Sequence, residues 1–241
     1  MPKLSVIIPV YDEAEDISNC INSLNSQSYK NFEIILVDDG CTDDTISIAT
    51  KTAEKNNLKI KILQQNHGGP GLARNLGAKE AKGDILIFID ADMTFADNYL
   101  ENLIKPILND KEVIGTTHDY EVATNIDNIY SSFWGKIRVS KEDAPNVKIF
   151  RAIRRDKFLE LGGFDPKYSY ADDQSLWFKH QIKPIVAKDT NCFHKNPETL
   201  KATYKQARWI GTSWKERFAI FRNPILSHII SLLLFLLFCK S

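Results

Sequence analysis

Ile85-Leu86-Ile87-Phe88-Ile89-Asp90-Ala91-Asp92 is the stretch that decides the fold. Five consecutive apolar residues read as a short strand buried on both faces. Two carboxylates follow at once, and acids just past a buried strand must be solvated, paired or bound to a metal. Upstream, Leu4–Val10, Phe32–Val37 and Lys59–Leu63 read as three further strands. Between them lie segments of helical spacing: Asp12–Leu24 with Ile17, Ile21 and Leu24 on one face, then Thr42–Asn56, then Gly71–Ala81. Strand and helix in alternation predict an α/β fold, a Rossmann-like, mostly parallel sheet flanked by helices. Such sheets take ligands at the carboxyl ends of their strands. Here those ends carry Pro9-Val10-Tyr11, Asp38-Asp39-Gly40 and Asp90-Ala91-Asp92.

After Asp110 the pattern loosens. Val113–Thr117, Val147–Ile153 and Pro184–Ala187 read as strands, and Ile126–Val139 and Asp172–Gln181 as helices. Leu161-Gly162-Gly163-Phe164-Asp165 reads as a turn. The chain of 241 residues is 43% apolar, which excludes a disordered protein. Its formal net charge is zero, so there is no basic excess for nucleic acid and none is expected as a partner. Cys20, Cys41, Cys192 and Cys239 are scattered without a CxxC pair, which indicates neither a zinc site nor a disulfide framework and suits a reducing compartment. The opening Met1–Glu13 has too short an apolar run for a signal peptide.

Asp90 and Asp92 could share one hard divalent cation, magnesium or manganese, bridged to substrate phosphates; a solvated turn is the alternative. Asp39 could accept hydrogen bonds from a nucleobase or ribose, while Thr42 or Asp43 caps the following helix. Asn66 to Asn75 sets Gly68, Gly69 and Gly71 ahead of a helix carrying Arg74, an arrangement open to a diphosphate or to an ordinary turn. Asp172-Asp173 could be a helix-start pair favoured by the macrodipole, or could supply a general base. His194 could be a metal or phosphate contact, or a surface histidine.

Taken in order, these segments resemble the family-two inverting glycosyltransferases of the GT-A fold. Ser5–Glu13 is similar to the family's opening strand, Val37–Thr45 to its VDDGSTDGT segment, and Gly71–Gly77 to its ARNxG helix. Asp90-Ala91-Asp92 resembles its metal motif, Gly162–Asp165 its GGFD turn, and Asp172–Trp177 its EDxDLW base motif. The resemblance implies that Pro9, Tyr11, Glu13, Asp39, Gly68, Arg74, Asp90 and Ala91 hold a nucleotide-sugar donor. It implies that Asp92 and His194 bind magnesium or manganese, and that Asp173 is the base. It sets Gly162, Gly163, Phe164, Asp172 and Trp177 on the acceptor side. Cys41, Asp44, Asp172 and Ser175 depart from the usual residues, and Lys205 stands where processive members carry Gln in QxxRW.

Lys201–Phe221 reads as a basic, aromatic helix with six basic residues up to Arg222 against one acid, Glu216, and with Trp209 and Trp214 interleaved. Pro224 ends it, and Ile225–Cys239 is almost wholly apolar, short of the roughly 20 residues of a full span. Basic and aromatic residues beside an apolar run suit an anionic membrane surface. The expected organisation is a catalytic domain over 1–200 and a membrane-associating amphipathic and apolar helical segment over 201–241, at the cytoplasmic side of the cell membrane. The acceptor would then be lipid-linked or a saccharide. A nucleotidyltransferase is the competing enzyme class, though it wants a Gly-rich basic loop after the first strand; a non-catalytic nucleotide-sugar-binding module is the competing non-enzyme.

Overall fold

The computed structural model describes residues 1–212; residues 213–241, with Trp214 and the apolar run Ile225–Cys239, lie outside the described residues. The expected strands and helices of the first half form in order. β1 (Leu4–Val10), α1 (Ile17–Asn25), β2 (Phe32–Asp38), α2 (Thr45–Lys55), β3 (Ile60–Gln64), α3 (Pro70–Glu80) and β4 (Ile85–Phe88) make a parallel unit in the spatial order β3-β2-β1-β4. α1 buries Ile17, Cys20, Ile21 and Leu24, one stripe at helical spacing. Each such fully buried aliphatic side chain contributes about 1.5–3 kcal/mol.

Two elements follow Asp92 that motif reading passes over: β5 (Thr94–Phe95) and α4 (Tyr99–Asn109). α4 buries Tyr99, Leu100, Leu103, Ile104 and Ile107 despite Pro106 near its end. Then come β6 (Gly115–Ala123), the short α5 (Ile129–Ser132), β7 (Ile137–Val139), β8 (Ala152–Arg154), α6 (Arg155–Glu160), α7 (Ser175–His180), β9 (Ile185–His194) and α8 (Leu200–Thr212). β8 runs antiparallel to β4 and to β6, while β6 and β9 run parallel. The sheet is therefore mixed rather than mostly parallel: its β3-β2-β1-β4 side is parallel throughout, and beyond β4 every described pair except β6–β9 is antiparallel.

Other corrections share one cause, a local turn that the apolar pattern hides. The expected helix over 126–139 is a single turn capped by the Asn128 side chain; Gly135, at φ 80°, ends it and frees Ile137–Val139 to pair with β6. β9 extends far past Ala187 because Asp119, inside β6, accepts from the backbone of Asp189 and Thr190. That contact absorbs the bulge at Asp189, φ 58°, and carries the strand through a polar stretch. Asp172 and Asp173 do not open a helix; they lie in a 3-10 segment, Pro166–Gln174, that precedes the six-residue α7. α8 packs back on the α/β body, with Trp209 edge-on to Tyr170 at 5.0 Å and Lys205 Nζ 5.9 Å from the Tyr11 ring. Among the described residues no helix is long and apolar enough to cross a membrane.

Candidate active site

The carboxyl ends of β1, β2 and β4 meet on one side of the sheet. The half-buried Pro9 is the penultimate residue of β1, and Ala91 is packed in the core between the two acids that follow β4. At the end of β2, Asp38 and Asp39 divide the work. Asp38 folds its own turn, accepting from the backbone of Gly40 and Cys41 at 3.1 and 2.8 Å. Asp39, buried, folds the glycine loop over itself. It accepts from Gly68 N at 2.8 Å, Gly69 N at 2.9 Å and Gln65 Nε2 at 2.7 Å, with His67 Nδ1 at 2.9 Å. His67 in turn stacks on Tyr11, ring centroids 4.0 Å apart. The exposed Tyr11–His67 face and the Asp39-bound loop thus form one unit.

Arg74 is turned into the protein. Its Nη2 donates to Asp90 Oδ1 at 2.6 Å and its Nη1 to Asp172 Oδ1 at 3.0 Å, so α3 ties β4 to the 3-10 segment. Gly71 makes the second contact possible, since a Cβ there would lie 2.5 Å from Asp172 Oδ2. Asn75, the next residue of α3, clamps the glycine turn: it accepts from Phe164 N at 2.9 Å and donates to Phe164 O at 2.7 Å. Gly162 and Gly163 take left-handed φ angles of 80° and 72° there. Phe164 itself packs between Phe88 and Phe158 in the core, which makes it a packing residue of the turn rather than an open contact surface.

Three residues without a motif complete the cluster: His118, Glu121 and Arg151. Arg151 donates to Asp90 Oδ2 at 3.1 Å and stands 3.9 Å from Glu121. Glu121 also faces His118 Nε2 at 3.0 Å, His194 Nδ1 at 3.2 Å and Arg138 Nη1 at 3.3 Å. The one sequence signal of His118 and Glu121 is polarity inside the long strand β6; Arg151, just ahead of β8, carries none. A buried charge of this kind is tolerated only when paired.

Burial alone would raise the Asp90 carboxyl, but the guanidinium groups of Arg74 and Arg151 hold it well below the usual carboxylate range. Glu121 behaves the same way, with His118, His194 and Arg151 overriding burial. Other carboxyls lack such partners. Burial, then the charge of Asp90, pushes Asp92 up to about 6, and no described residue gives it a hydrogen bond or ion pair. Burial, then Asp92, Asp16, Asp90 and Asp43, pushes Glu13 up to about 8. Asp173 has a buried, unpartnered Oδ1, and burial lifts it to about 7 against the pull of Arg74. Being ahead of α7 rather than at its start, it gains no helix-end stabilisation of its charge.

The donor set around Asp92 fits a hard divalent cation: oxygen ligands, excess negative charge and a carboxylate that nothing else engages. Asp92 and His194 border one cavity of about 310 Å³, with Asp16, Asn19 and Thr124. The second ring nitrogen of His194 meets Asn196 Oδ1 at 3.0 Å, and the Asn196 amide nitrogen donates to Ser131 O and Gly135 O. Nε2 is thus engaged by Asn196, while the buried Nδ1, although 3.2 Å from Glu121, makes no hydrogen bond. Trp177, half-buried on α7, carries Lys148 and Lys183 near its ring.

A profile of the Glycosyl transferase family 2 matches residues 5–167. Poly(ribitol-phosphate) beta-N-acetylglucosaminyltransferase TarS of Staphylococcus aureus strain MW2 is 43% identical over 94 residues, 38% of this chain and 16% of that protein. The uncharacterized glycosyltransferase RP339 of Rickettsia prowazekii is 32% identical over 191 residues, 74% of this chain and 58% of that one. Among solved structures, S. aureus TarS superposes with a TM-score of 0.64 at 23% identity, over 87% of this chain and 39% of that chain. Mannosyltransferase PcManGT from Pyrobaculum calidifontis, in complex with GDP-Man and Mn2+, superposes with a TM-score of 0.67 at 24% identity, over 90% and 64%. The chain spans less than two thirds of each of these proteins, and the likeness to the two structures is one of fold.

Proposed function

The chain belongs to glycosyl transferase family 2, and from that premise we propose that it moves a sugar, with inversion, from a nucleoside-diphosphate donor to an acceptor hydroxyl. The observation that carries this reading is a contrast within one cluster. Asp90 and Asp172 are ion-paired to arginines, while Asp92 and Asp173 beside them have no such partner; burial raises Asp92, Asp173 and also Asp172, so only Asp90 is held low. Asp92 is suited to a cation and Asp173 to a proton.

Tyr11 and the Asp39-held loop are suited to a nucleoside, one side offering a ring to stack on and the other offering backbone that approaches closely. A divalent cation on Asp92 would neutralise charge on the departing diphosphate when bound. Asp173 takes the proton of the attacking hydroxyl; a carboxyl near 7 matches the pKa a general base needs at neutral pH. Arg74 holds Asp90 and the acidic segment at fixed spacing, so donor and base sides move as one body. The basic residues of α8, together with the sequence beyond it, support a membrane-facing position and a lipid-linked or saccharide acceptor.

The test is a thermal-shift screen of UDP-, GDP- and dTDP-sugars with and without manganese, followed by radiolabelled product formation from the donor that binds. A manganese-dependent shift and a labelled product of inverted anomeric configuration are expected. Binding without turnover under any acceptor supply would favour a non-catalytic module. Deleting the residues after Phe221 should release the protein from anionic liposomes; identical partitioning would remove the membrane part of the proposal.

A further inference from the structure

The Asp39 carboxylate is saturated by the protein itself. A carboxylate accepts at about four lone-pair positions, and each is taken. Oδ1 accepts from Gln65 Nε2 at 2.7 Å and from Gly68 N at 2.8 Å; Oδ2 accepts from Gly69 N at 2.9 Å and meets His67 Nδ1 at 2.9 Å. Two of these donors are backbone and hold the glycine loop. Of the two side chains, Gln65 belongs to a half-buried residue, whereas the His67 side chain is 58% exposed against 4% for Asp39. His67 Nδ1 also lies 3.2 Å from the backbone oxygen of Asp39. Carboxylate and carbonyl oxygens only accept, so Nδ1 carries a proton and donates. The same imidazole lies on Tyr11, ring centroids 4.0 Å apart and planes 29° apart. Rings at that separation leave no room for a third between them.

The loop beneath the ring is anchored independently of it. Gln65 N donates to Asp38 O at 2.9 Å, and Gly68 and Gly69 are tied to Asp39. Rotation about the His67 side-chain bonds would therefore carry the imidazole into solvent without moving the loop. The donor reading above assigns Tyr11 and Asp39 to the nucleoside. His67 already makes both contacts, with a flat ring on Tyr11 and a ring N–H on the carboxylate. We propose that His67 is a placeholder for the donor's nucleobase, which displaces the imidazole to stack on Tyr11 and to donate to Asp39 Oδ2. The inference rests on the nucleotide-sugar reading and adds to it a residue that sets donor affinity. In the free protein the imidazole keeps a buried carboxylate paired. The apparent affinity for donor is then reduced by the fraction of chains in which His67 has swung away.

The experiment titrates the full chain with UDP, GDP and dTDP in magnesium, with inorganic pyrophosphate as the control that lacks a base. The readout is the imidazole Hε1 resonance of His67, assigned among the five histidines by its loss in His67→Ala. The Tyr11 ring current displaces that resonance from the position of a free histidine. A nucleotide that binds should return it there saturably, and pyrophosphate should leave it in place. His67→Ala should bind the same nucleotide about three- to tenfold more tightly, the range that one net hydrogen bond supplies. Equal or weaker binding by His67→Ala, a His67 resonance that stays put or moves further from the free position, or an equal response to pyrophosphate overturns the placeholder and leaves nucleotide binding standing. If none of the three nucleotides binds either chain, the donor reading falls and the placeholder with it.

Discussion

Along β1, β2 and β4, every charged group of the site stands at or beyond the last strand residue, whereas along β6 the charges of His118 and Glu121 sit inside the strand and His194 closes β9. The first arrangement is what parallel crossovers produce: the strands all end on one side, and the acids there can reach solvent, a loop or a ligand. The second is buried, so its carboxylate survives only by collecting two histidines and two arginines. Asp90 joins the two halves, since Arg74 comes from the parallel side and Arg151 from the edge of β8. The open half therefore holds carboxylates that can meet a ligand, and the closed half holds a paired charge cluster.

That division predicts different consequences for removing a charge from each half. The largest effect on turnover is expected at Asp173, in the 3-10 segment that the Arg74–Asp172 pair ties to β4. Asp173→Asn keeps the shape and removes the proton acceptor, so kcat should fall about 10²–10⁴-fold while donor affinity stays near wild type. In the native protein kcat should rise with pH through about 7, as the raised Asp173 carboxyl loses its proton, and the variant should lose that limb. A wild-type rate in Asp173→Asn would show that the acceptor needs no base or finds it elsewhere.

In the closed half the expected loss is stability. Glu121→Ala leaves Arg151, His118 and His194 facing a void, and breaking a buried pair of this kind costs about 3–5 kcal/mol. Because the folded Glu121 carboxyl is depressed, its contribution is present above the unfolded carboxylate pKa and is lost as pH falls through the folded value. Urea denaturation of the variant and of the native chain at neutral pH measures the difference. A loss under 1 kcal/mol would mean the cluster does not depend on this residue.

Asp92→Ala tests the open half from the other side. Metal and donor together should stabilise the native chain by about 2.7 kcal/mol at a hundredfold excess over Kd, and the variant should lose that increment. Its metal-free melting temperature should hold or rise, because Asp92 is charged against its neighbours. Manganese-supported donor binding should also weaken below about pH 6, where a proton occupies Asp92. EDTA-resistant donor binding by Asp92→Ala would overturn its assignment to the metal.

The smallest change probes the seam. Gly71→Ala forces a Cβ against the Asp172 carboxylate, and overpacking of this kind costs about 1–3 kcal/mol. The same strain should loosen the Arg74–Asp172 contact and raise the donor KM. A variant with native stability and native KM would show that the seam is more compliant than its distances indicate.

The sequence by itself determined the parallel half of the fold and the residue types at its strand ends. Buried strands and amphipathic helices each carry a local, periodic signature, and the acids after Val37 and Ile89 stand out because nothing apolar explains them. Asp39, Asp90 and Asp92 were legible for that reason, whereas Asp173 was singled out by its resemblance to the family's EDxDLW segment. Only the tertiary structure decided which carboxylates are neutralised and which stay unpartnered, since Arg74 and Asp172 are 98 residues apart and Arg151 and Asp90 are 61 apart. Nor does β6 announce Glu121: its polar residues suit a solvated strand, until β8, β7 and β9 close around them. Pairing of buried charge is a property of three-dimensional neighbours, and a linear pattern holds no record of which neighbour arrives.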